Sequence, residues 1–459
     1  MRYLHFCAHE QFPPDQLLRQ AVAAERAGFD GIGCSDHLQP WWEDGESGNA
    51  WVWLGAAAQA TEHAAFGTGV TPPGPRYHPA VIAQAWATLE VMYPGRPFLG
   101  FGSGEALNEA PLGHGWPSPR AQVERMEEAL EMIHALWEGK KLSGEGEHFA
   151  SDGAFIHSLP EGRRPPIYVS AFGPKAAAVA GRQGDGLWTL ADPEKAPKLI
   201  DAYRGAAEDA GREPGEIVLQ AGFSWAEDDD AALEGARVWK GAQPEEFYKD
   251  DWHDPKAMHE HGKEQVSDEE LREALIISAD PAEHVERVRQ IEALGATMVV
   301  LMNNAGADPL GAIEMYGREV LPRLGGLRTP TRTWRRGSSF PQATGPSYLQ
   351  IGLFRRPWGL RWGRPDQSAR TKFVRERATV SWMASASVDF TVSFDAPDQE
   401  GWIVARVLEV PGAMSQGRTR EEARENVLDA LQTVLTPDEE LAGETPEADR
   451  EHLRFTAAA

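Results

Sequence analysis

The feature that most restricts this chain is a strand–helix alternation running from residue 3 to residue 324. Short apolar runs read as buried strands: Tyr3–Ala8, Gly31–Ser35, Ala65–Val70, Pro97–Phe101, Ile167–Ser170, Gly186–Leu190, Ile217–Ser224 and Thr297–Met302. Between them lie longer stretches with apolar residues at helical spacing: Pro13–Gly28, Ala50–Glu62, Pro79–Met92, Pro119–Trp137, Pro174–Arg182, Glu194–Ala210, Pro281–Leu294 and Pro309–Leu324. Prolines stand at most of the starts and Gly28 just past one end, where helix boundaries favour them. Parallel strands need crossover connections, and a repeated β–α unit supplies them. Roughly eight such units predict an α/β fold, a closed (β/α)8 TIM barrel. Asp228–Val266 breaks the rhythm with acids, Trp and Tyr, and predicts an insertion near the barrel mouth.

In such a barrel the segments after the strands converge on one face, and chemistry sits there. Here those segments carry Glu10; then Asp36, His37 and Trp41; then Gly69 and Val70. The fourth carries Gly102, Ser103, Gly104, Glu105 and Asn108, and the fifth Ala171, Phe172 and Gly173. Gly100, Gly102 and Gly104 let backbone approach a flat group without interference from Cβ atoms. A planar flavin-like ring suits the Gly69-Val70 and Gly102–Gly104 surfaces. Ala171–Gly173 leads into a helix whose first N–H groups suit a phosphate. Glu105, beside the glycines, is placed to exchange a proton with a ring that gains a hydride. His37 and Glu10 can supply a base near a carbinol substrate. Each residue also has a purely structural use: His37 as a satisfied core imidazole, Glu10 as a helix cap, Trp41 as core. Their coincidence at successive strand ends favours a site. The third glycine of a nicotinamide fingerprint is missing after Gly102-Ser103-Gly104, so the carrier reads as deazaflavin or flavin. No metal-ligand set is singled out.

A formal net charge of -25 disfavours nucleic acid as a partner of the whole chain. Residues 328–377 carry twelve Arg/Lys against two acids, whereas 378–459 carry six against sixteen. This contrast divides the chain into a barrel at 1–327, a basic linker at 328–386 and a small module at 387–459. The linker shows no sustained period and is predicted to be disordered. It also resembles translated non-coding sequence, and Met383 as an internal start suggests a fusion of two reading frames. In the module, Val388–Phe394 and Gly401–Val407 read as strands, Val410–Gly417 as a turn and short strand, and Ala423–Leu435 as a helix, a β-β-β-α order. Cys7 and Cys34 read as buried thiols of a reducing compartment. With neither a long apolar leader nor a membrane-length apolar run, a cytoplasmic location is expected.

Several motifs add a family resemblance. Ser35-Asp36-His37-Leu38-Gln39-Pro40-Trp41, Arg76-Tyr77-His78-Pro79, Gly102-Ser103-Gly104-Glu105 through Asn108-Glu109, and Gly173-Pro174-Lys175 resemble the luciferase-like monooxygenase superfamily. More narrowly they look like its F420-dependent branch, the group of F420-dependent glucose-6-phosphate dehydrogenase. The resemblance covers about residues 1–325. It implies a dimeric barrel that binds coenzyme F420, with FMN as the alternative cofactor. It implies cofactor contacts at Asp36, Gly69, Val70, Gly102, Ser103, Gly104, Glu105, Asn108, Ala171, Phe172 and Gly173, with a non-prolyl cis peptide at Gly69-Val70. It further implies His37 as base, Glu105 as acid, and Trp41 and Glu10 as their neighbours. The cations that hold a sugar phosphate in that group are missing after Gly186, around Met258 and before Asp280. A different substrate is expected, apolar and lined by Trp188, Trp225 and Trp239. Residues 387–436 resemble the HicB-type antitoxin domain, which implies a HicA-like RNase toxin as partner. On that reading the protein would instead neutralise a toxin on an inactive barrel.

Overall fold

The computed structural model describes residues 1–325 apart from 114 and 249, and beyond them 374–382, 387–397, 401–408, 410, 413–435 and 455–456. The chain divides into two units, Met1–Arg356 and Pro357–Ala459.

The first unit alternates β1 (Arg2–Cys7), α1 (Pro14–Ala27), β2 (Gly31–Cys34), α2 (Ala50–Ala60), β3 (Ala65–Thr68), α3 (Pro79–Met92), β4 (Pro97–Phe101) and α4 (Pro119–Trp137). It continues with β5 (Ile167–Ser170), α5 (Pro174–Gln183), β6 (Gly186–Leu190), α6 (Ala196–Asp209), β7 (Glu216–Ser224), α7 (Pro281–Ala293), β8 (Met298–Asn303) and α8 (Pro309–Met315). All neighbouring strands pair in parallel, and β8 pairs with both β7 and β1, closing the ring. This is the expected TIM barrel. Seven of these eight helices, all but α2, carry Pro at the first or second position, where the missing N–H costs no hydrogen bond. Asn49 starts α2 by accepting from the Val52 N–H. Gly28 ends α1 in the left-handed region, at φ 97°.

Two apolar layers hold the barrel. Leu4, Phe6, Phe98, Tyr168, Trp188, Val218 and Val300 fill its interior. These large rings fit because glycines face them: a Cβ on Gly33 would stand 2.6 Å from the Phe6 ring, and one on Gly69 would stand 2.7 Å from Trp188. The alternate strand residues, such as Tyr3, Ile32, Phe66 and Val169, pack outward under the helices. Among the described residues no helix is long and apolar enough to cross a membrane.

Three elements differ from the sequence expectation. The Gly-rich loop enters a helix at once, Ala106–Glu109, well before α4. A hairpin, Leu142–Glu145 with Ala150–Ala154, follows α4. The insertion extends further than 228–266. It comprises helices Asp229–Ala236, Pro255–Gln265 and Asp268–Ala274, 3-10 turns Arg237–Ala242 and Glu245–Tyr248, and a two-residue strand, Ile276–Ile277, beside the end of β7. Trp239, Phe247, Met258 and Leu271 of the insertion share one core with Trp41, Trp42 and Leu107 of the strand-end segments.

In the second unit, strands Val374–Trp382, Ser387–Phe394, Ile403–Val407 and Met414–Gly417 form an antiparallel sheet in that order, with Phe455–Thr456 beside the first. Helix Arg420–Leu435 contributes Ala423, Val427 and Leu431 to a core with Phe390, Val392, Phe394 and Val407. Val374–Trp382 is a strand within the stretch read as linker. Residues 328–373 and Met383 lie outside the described residues.

Glu90 gives the barrel a pH-dependent term. It lies buried on α3, accepts the Gly95 N–H at 2.8 Å and faces Arg163 at 3.6 Å. Burial outweighs both partners and pushes its pKa up to about 7. The folded state therefore holds this proton more tightly than the unfolded chain. Ionising Glu90 in place starts to cost stability above its ordinary value of 4.5, and the cost levels off above about 7. Glu90→Gln keeps the acceptor for Gly95. Denaturant unfolding should show it gaining on the wild type by up to about 3 kcal/mol between about pH 5 and pH 8. A difference that does not vary with pH would remove this assignment.

Candidate active site

The expected candidates meet at the C-terminal ends of the strands. His37, after β2, has its Nε2 3.5 Å from Glu10 Oε1 and 3.6 Å from Glu105 Oε2. Its Nδ1 lies 3.3 Å from the Gln39 carbonyl, which can only accept. In the neutral ring Nδ1 therefore carries the hydrogen, and Nε2 is left as an acceptor between the two carboxylates.

Each carboxylate is oriented by a neighbour. The Ser35 hydroxyl accepts from the His9 N–H at 3.3 Å and donates to Glu10 Oε2 at 2.6 Å, leaving Oε1 toward His37. Glu10 is only 3% exposed. The Glu105 side chain is 21% exposed, so it can reach a bound group. Burial raises the Glu105 pKa, the facing His37 works against this, and Glu10 adds to it. Asn108 accepts the Leu38 and Gln39 N–H groups at 2.7 and 3.3 Å through Oδ1 and donates to Glu105 at 3.4 Å. Its amide thus ties the His37 loop to the acid.

Asp36 serves below this level. Its Oδ2 accepts from Trp51 Nε1 and the Thr71 hydroxyl, and its Oδ1 from Arg76 and the Tyr77 hydroxyl. Arg76 also donates to the Asp36 carbonyl at 2.9 Å and to Glu109 at 2.8 Å. Burial disfavours the guanidinium charge, but Asp36 and Glu109 together more than restore it.

Gly69-Val70 is a cis peptide, as the resemblance implied. The N–H groups of Gly69, Gly102 and Ala171 are spent on Cys34, Thr71 and Trp188 carbonyls. Val70 and the Gly102–Gly104 loop therefore offer surface to a ligand, with Gly104 at φ +88°. A Cβ on Gly102 would stand 2.5 Å from Val70 Cγ2, so these two segments are packed together. Gly173 caps α5 without a side-chain bond, and open space lies where its Cβ would be. The free N–H groups at the start of α5 thus stand clear for an anion.

Trp41 lies beside His37 with ring centroids 5.5 Å apart. Tyr248 of the insertion stands 5.4 Å from Trp41, and the half-exposed Phe172 5.4 Å from Tyr248. Trp41 is 4% exposed and belongs to the same core as Trp239, so of the rings beyond His37, Phe172 and Tyr248 are the ones left partly open. Of the tryptophans expected as lining, Trp188 fills the barrel interior, Trp239 the core that the insertion shares with the strand-end segments, and Trp225 donates to the Ala279 carbonyl. Ser35, Arg76 and Tyr248 had no assigned role in the sequence. The first two stood inside the motifs; for Tyr248 the aromatic content of the insertion was the only signal.

Arg76 and its two partners are nearly solvent-free. Arg76→Met leaves two buried carboxylates uncompensated and should cost about 3–5 kcal/mol of unfolding free energy. Equilibrium denaturation measures this, and a loss below about 1 kcal/mol, the range of a surface pair, would contradict it.

A family model for the luciferase-like monooxygenase matches residues 1–298. An F420-dependent glucose-6-phosphate dehydrogenase of Microbacterium testaceum is 41% identical over 330 residues, 71% of this chain and 97% of the relative. An F420-dependent hydroxymycolic acid dehydrogenase of Mycobacterium tuberculosis is 37% identical over 320 residues, 69% of this chain and 86% of the relative. Among solved structures, an F420-dependent secondary alcohol dehydrogenase in complex with an F420-acetone adduct is 34% identical. Its TM-score is 0.68, and the match covers 72% of this chain and 99% of that one. Fold, strand-end geometry and these matches agree: the chain belongs to the luciferase-like monooxygenase family.

Proposed function

We propose that this protein is an F420-dependent oxidoreductase that moves a hydride between coenzyme F420 and a small alcohol or carbonyl compound. The observation that carries the proposal is the imidazole Nε2 of His37 set between carboxylates from two other strand ends. Relatives at 34–41% identity, named for F420 dependence, support the choice of cofactor over FMN. F420, when bound, supplies the hydride acceptor or donor. Val70, Gly102, Ser103 and Gly104 form the surface for its ring, and the start of α5 at Gly173 takes an anionic tail. Asp36 and Asn108 hold these loops from behind. His37 takes the hydroxyl proton as an alcohol is oxidised, and Glu10 stabilises the imidazolium that results. Glu105, held protonated to higher pH by burial, is the acid at the ring edge.

Glucose 6-phosphate is not the substrate we favour. Lys195 pairs with Glu245, Arg237 and Lys240 with Asp268, and Lys256 with Glu43. A dianion at the mouth would have to compete for cations already engaged.

A homodimer fits α2 and α3. Val52, Ala56, Val81, Val91 and Met92 are exposed there, and Glu90, the one charged residue of the two helices, is buried. The second unit is read as a HicB-like partner module. Rescue of cells from a co-expressed HicA-like toxin tests that, and failure to rescue removes it.

For the enzyme, F420 fluorescence titration should give dissociation constants within about threefold for wild type, Glu105→Gln and His37→Ala. Turnover should fall by about 10²–10⁴ in both variants. Absence of F420 binding to the wild type would overturn the proposal.

A further inference from the structure

We propose that Tyr248 sets the size and polarity of the substrate, restricting the site to neutral alcohols with short apolar substituents. The inference rests on the reading of the site as an F420-dependent alcohol–carbonyl oxidoreductase.

Tyr248 bridges two loops of the mouth. On one side its ring meets Trp41, which itself lies against His37. On the other it meets Phe172, next to the open start of α5. The aromatic line therefore runs from the base to the anion-binding end. A substrate whose hydroxyl reaches His37 Nε2 must direct a substituent toward these rings.

The ring is held in place. Tyr248 ends the short turn Glu245–Tyr248, and the residues before it are all anchored. Glu245 pairs with Lys195 just before α6. Glu246 accepts from His261 at 2.8 Å. Phe247 is buried against Trp252 and His261. The phenol itself donates to the Ala242 carbonyl at 2.8 Å, within its own segment. Its one polar atom is thus turned back into the insertion, and ring carbons face Trp41 and Phe172. Burial, reinforced by the nearby Glu105 and Glu10, keeps the phenol neutral.

The ring carbons of Tyr248 and Phe172 offer an apolar substituent burial and offer a charged or hydroxylated one no partner. Because Phe247 beside Tyr248 is buried among rings and the phenol is bonded to Ala242, the Tyr248 ring does not yield to a longer chain without repacking. Tyr248→Ala removes the ring and leaves the anchors of the residues before it intact. Tyr248→Phe keeps the ring and loses one hydrogen bond to the insertion.

The test measures kcat and KM for 2-alkanols from 2-propanol to 2-octanol with the full chain and F420. F420 dissociation constants and melting temperatures are taken on the same preparations. For wild type and Tyr248→Phe, kcat/KM should fall beyond the short members. For Tyr248→Ala the optimum should move to longer alcohols. Each newly accommodated methylene should gain about fourfold, the equivalent of about 0.8 kcal/mol per buried CH2, mostly through KM. Cofactor affinity should stay within about threefold. An unmoved chain-length profile in a Tyr248→Ala protein that binds F420 and melts cooperatively overturns the role of Tyr248 alone. A wild type that binds F420 but oxidises no 2-alkanol overturns the substrate class. A wild type that does not bind F420 overturns the reading beneath both.

Discussion

The arrangement depends first on the buried Arg76 between Asp36 and Glu109. Three loops meet there: Asp36 after β2, Arg76 after β3, and Glu109 in the short helix after β4. Buried ion pairs seldom out-stabilise apolar packing of equal volume, so their value is positional. The planar guanidinium reaches both the carboxylate and the carbonyl of Asp36, which fixes the backbone one residue before His37. Its Nε fixes Glu109, one residue after Asn108, and Asn108 binds both the His37 loop and Glu105. The spacing of His37 and Glu105 is thus set by a charge cluster that need not touch any substrate.

That spacing creates a proton problem which the site uses. Glu10 and Glu105 both face one imidazole nitrogen, so full ionisation of both carboxylates crowds two negative charges around a lone pair. Glu105 is the one held up, because it is desolvated and near Glu10. Glu10 accepts the Ser35 hydroxyl on its far oxygen. On the proposed reading, neighbouring carboxylates in unlike surroundings take unlike roles: Glu10 balances the charge of His37, and Glu105 keeps a proton to give.

The barrel was legible because its evidence is periodic. Strand and helix runs repeat, and prolines mark the helix starts. Short pieces escaped for the same reason: Ala106–Glu109 spans one turn, and Ile276–Ile277 is too short to alternate. Val374–Trp382 was hidden by Arg375, Glu376 and Arg377, three consecutive charges that mask a period of two, yet it pairs residue by residue with Ser387–Phe394. In the site, Glu10, His37 and Glu105 could be grouped without distances, because topology brings strand ends together. The supporting contacts could not be grouped in that way. Ser35 matters through a 2.6 Å bond to a residue 25 positions away, and Tyr248 through rings contributed by two other loops. Tryptophan misled, since its large apolar ring serves a core as readily as a binding wall. Trp188 and Trp239 went to cores.

The acidic composition of residues 1–327 bears on selectivity between anions. Residues 1–327 hold 27 basic side chains against 52 acidic ones, and Lys195, Arg237, Lys240 and Lys256 are drawn into pairs. An anion held by side-chain charge would have to displace a carboxylate already in place. An anion held by backbone meets no such competitor. The start of α5 has no side-chain cap, Gly173 leaves open space beside it, and Pro174 removes no hydrogen bond that the helix needs. Its N–H groups and dipole attract negative charge whatever the side-chain balance. On the proposed reading, a chain this acidic would retain the anionic tail of its cofactor while disfavouring a phosphorylated substrate at the same mouth, because the two anions would be recognised by different parts of the polypeptide.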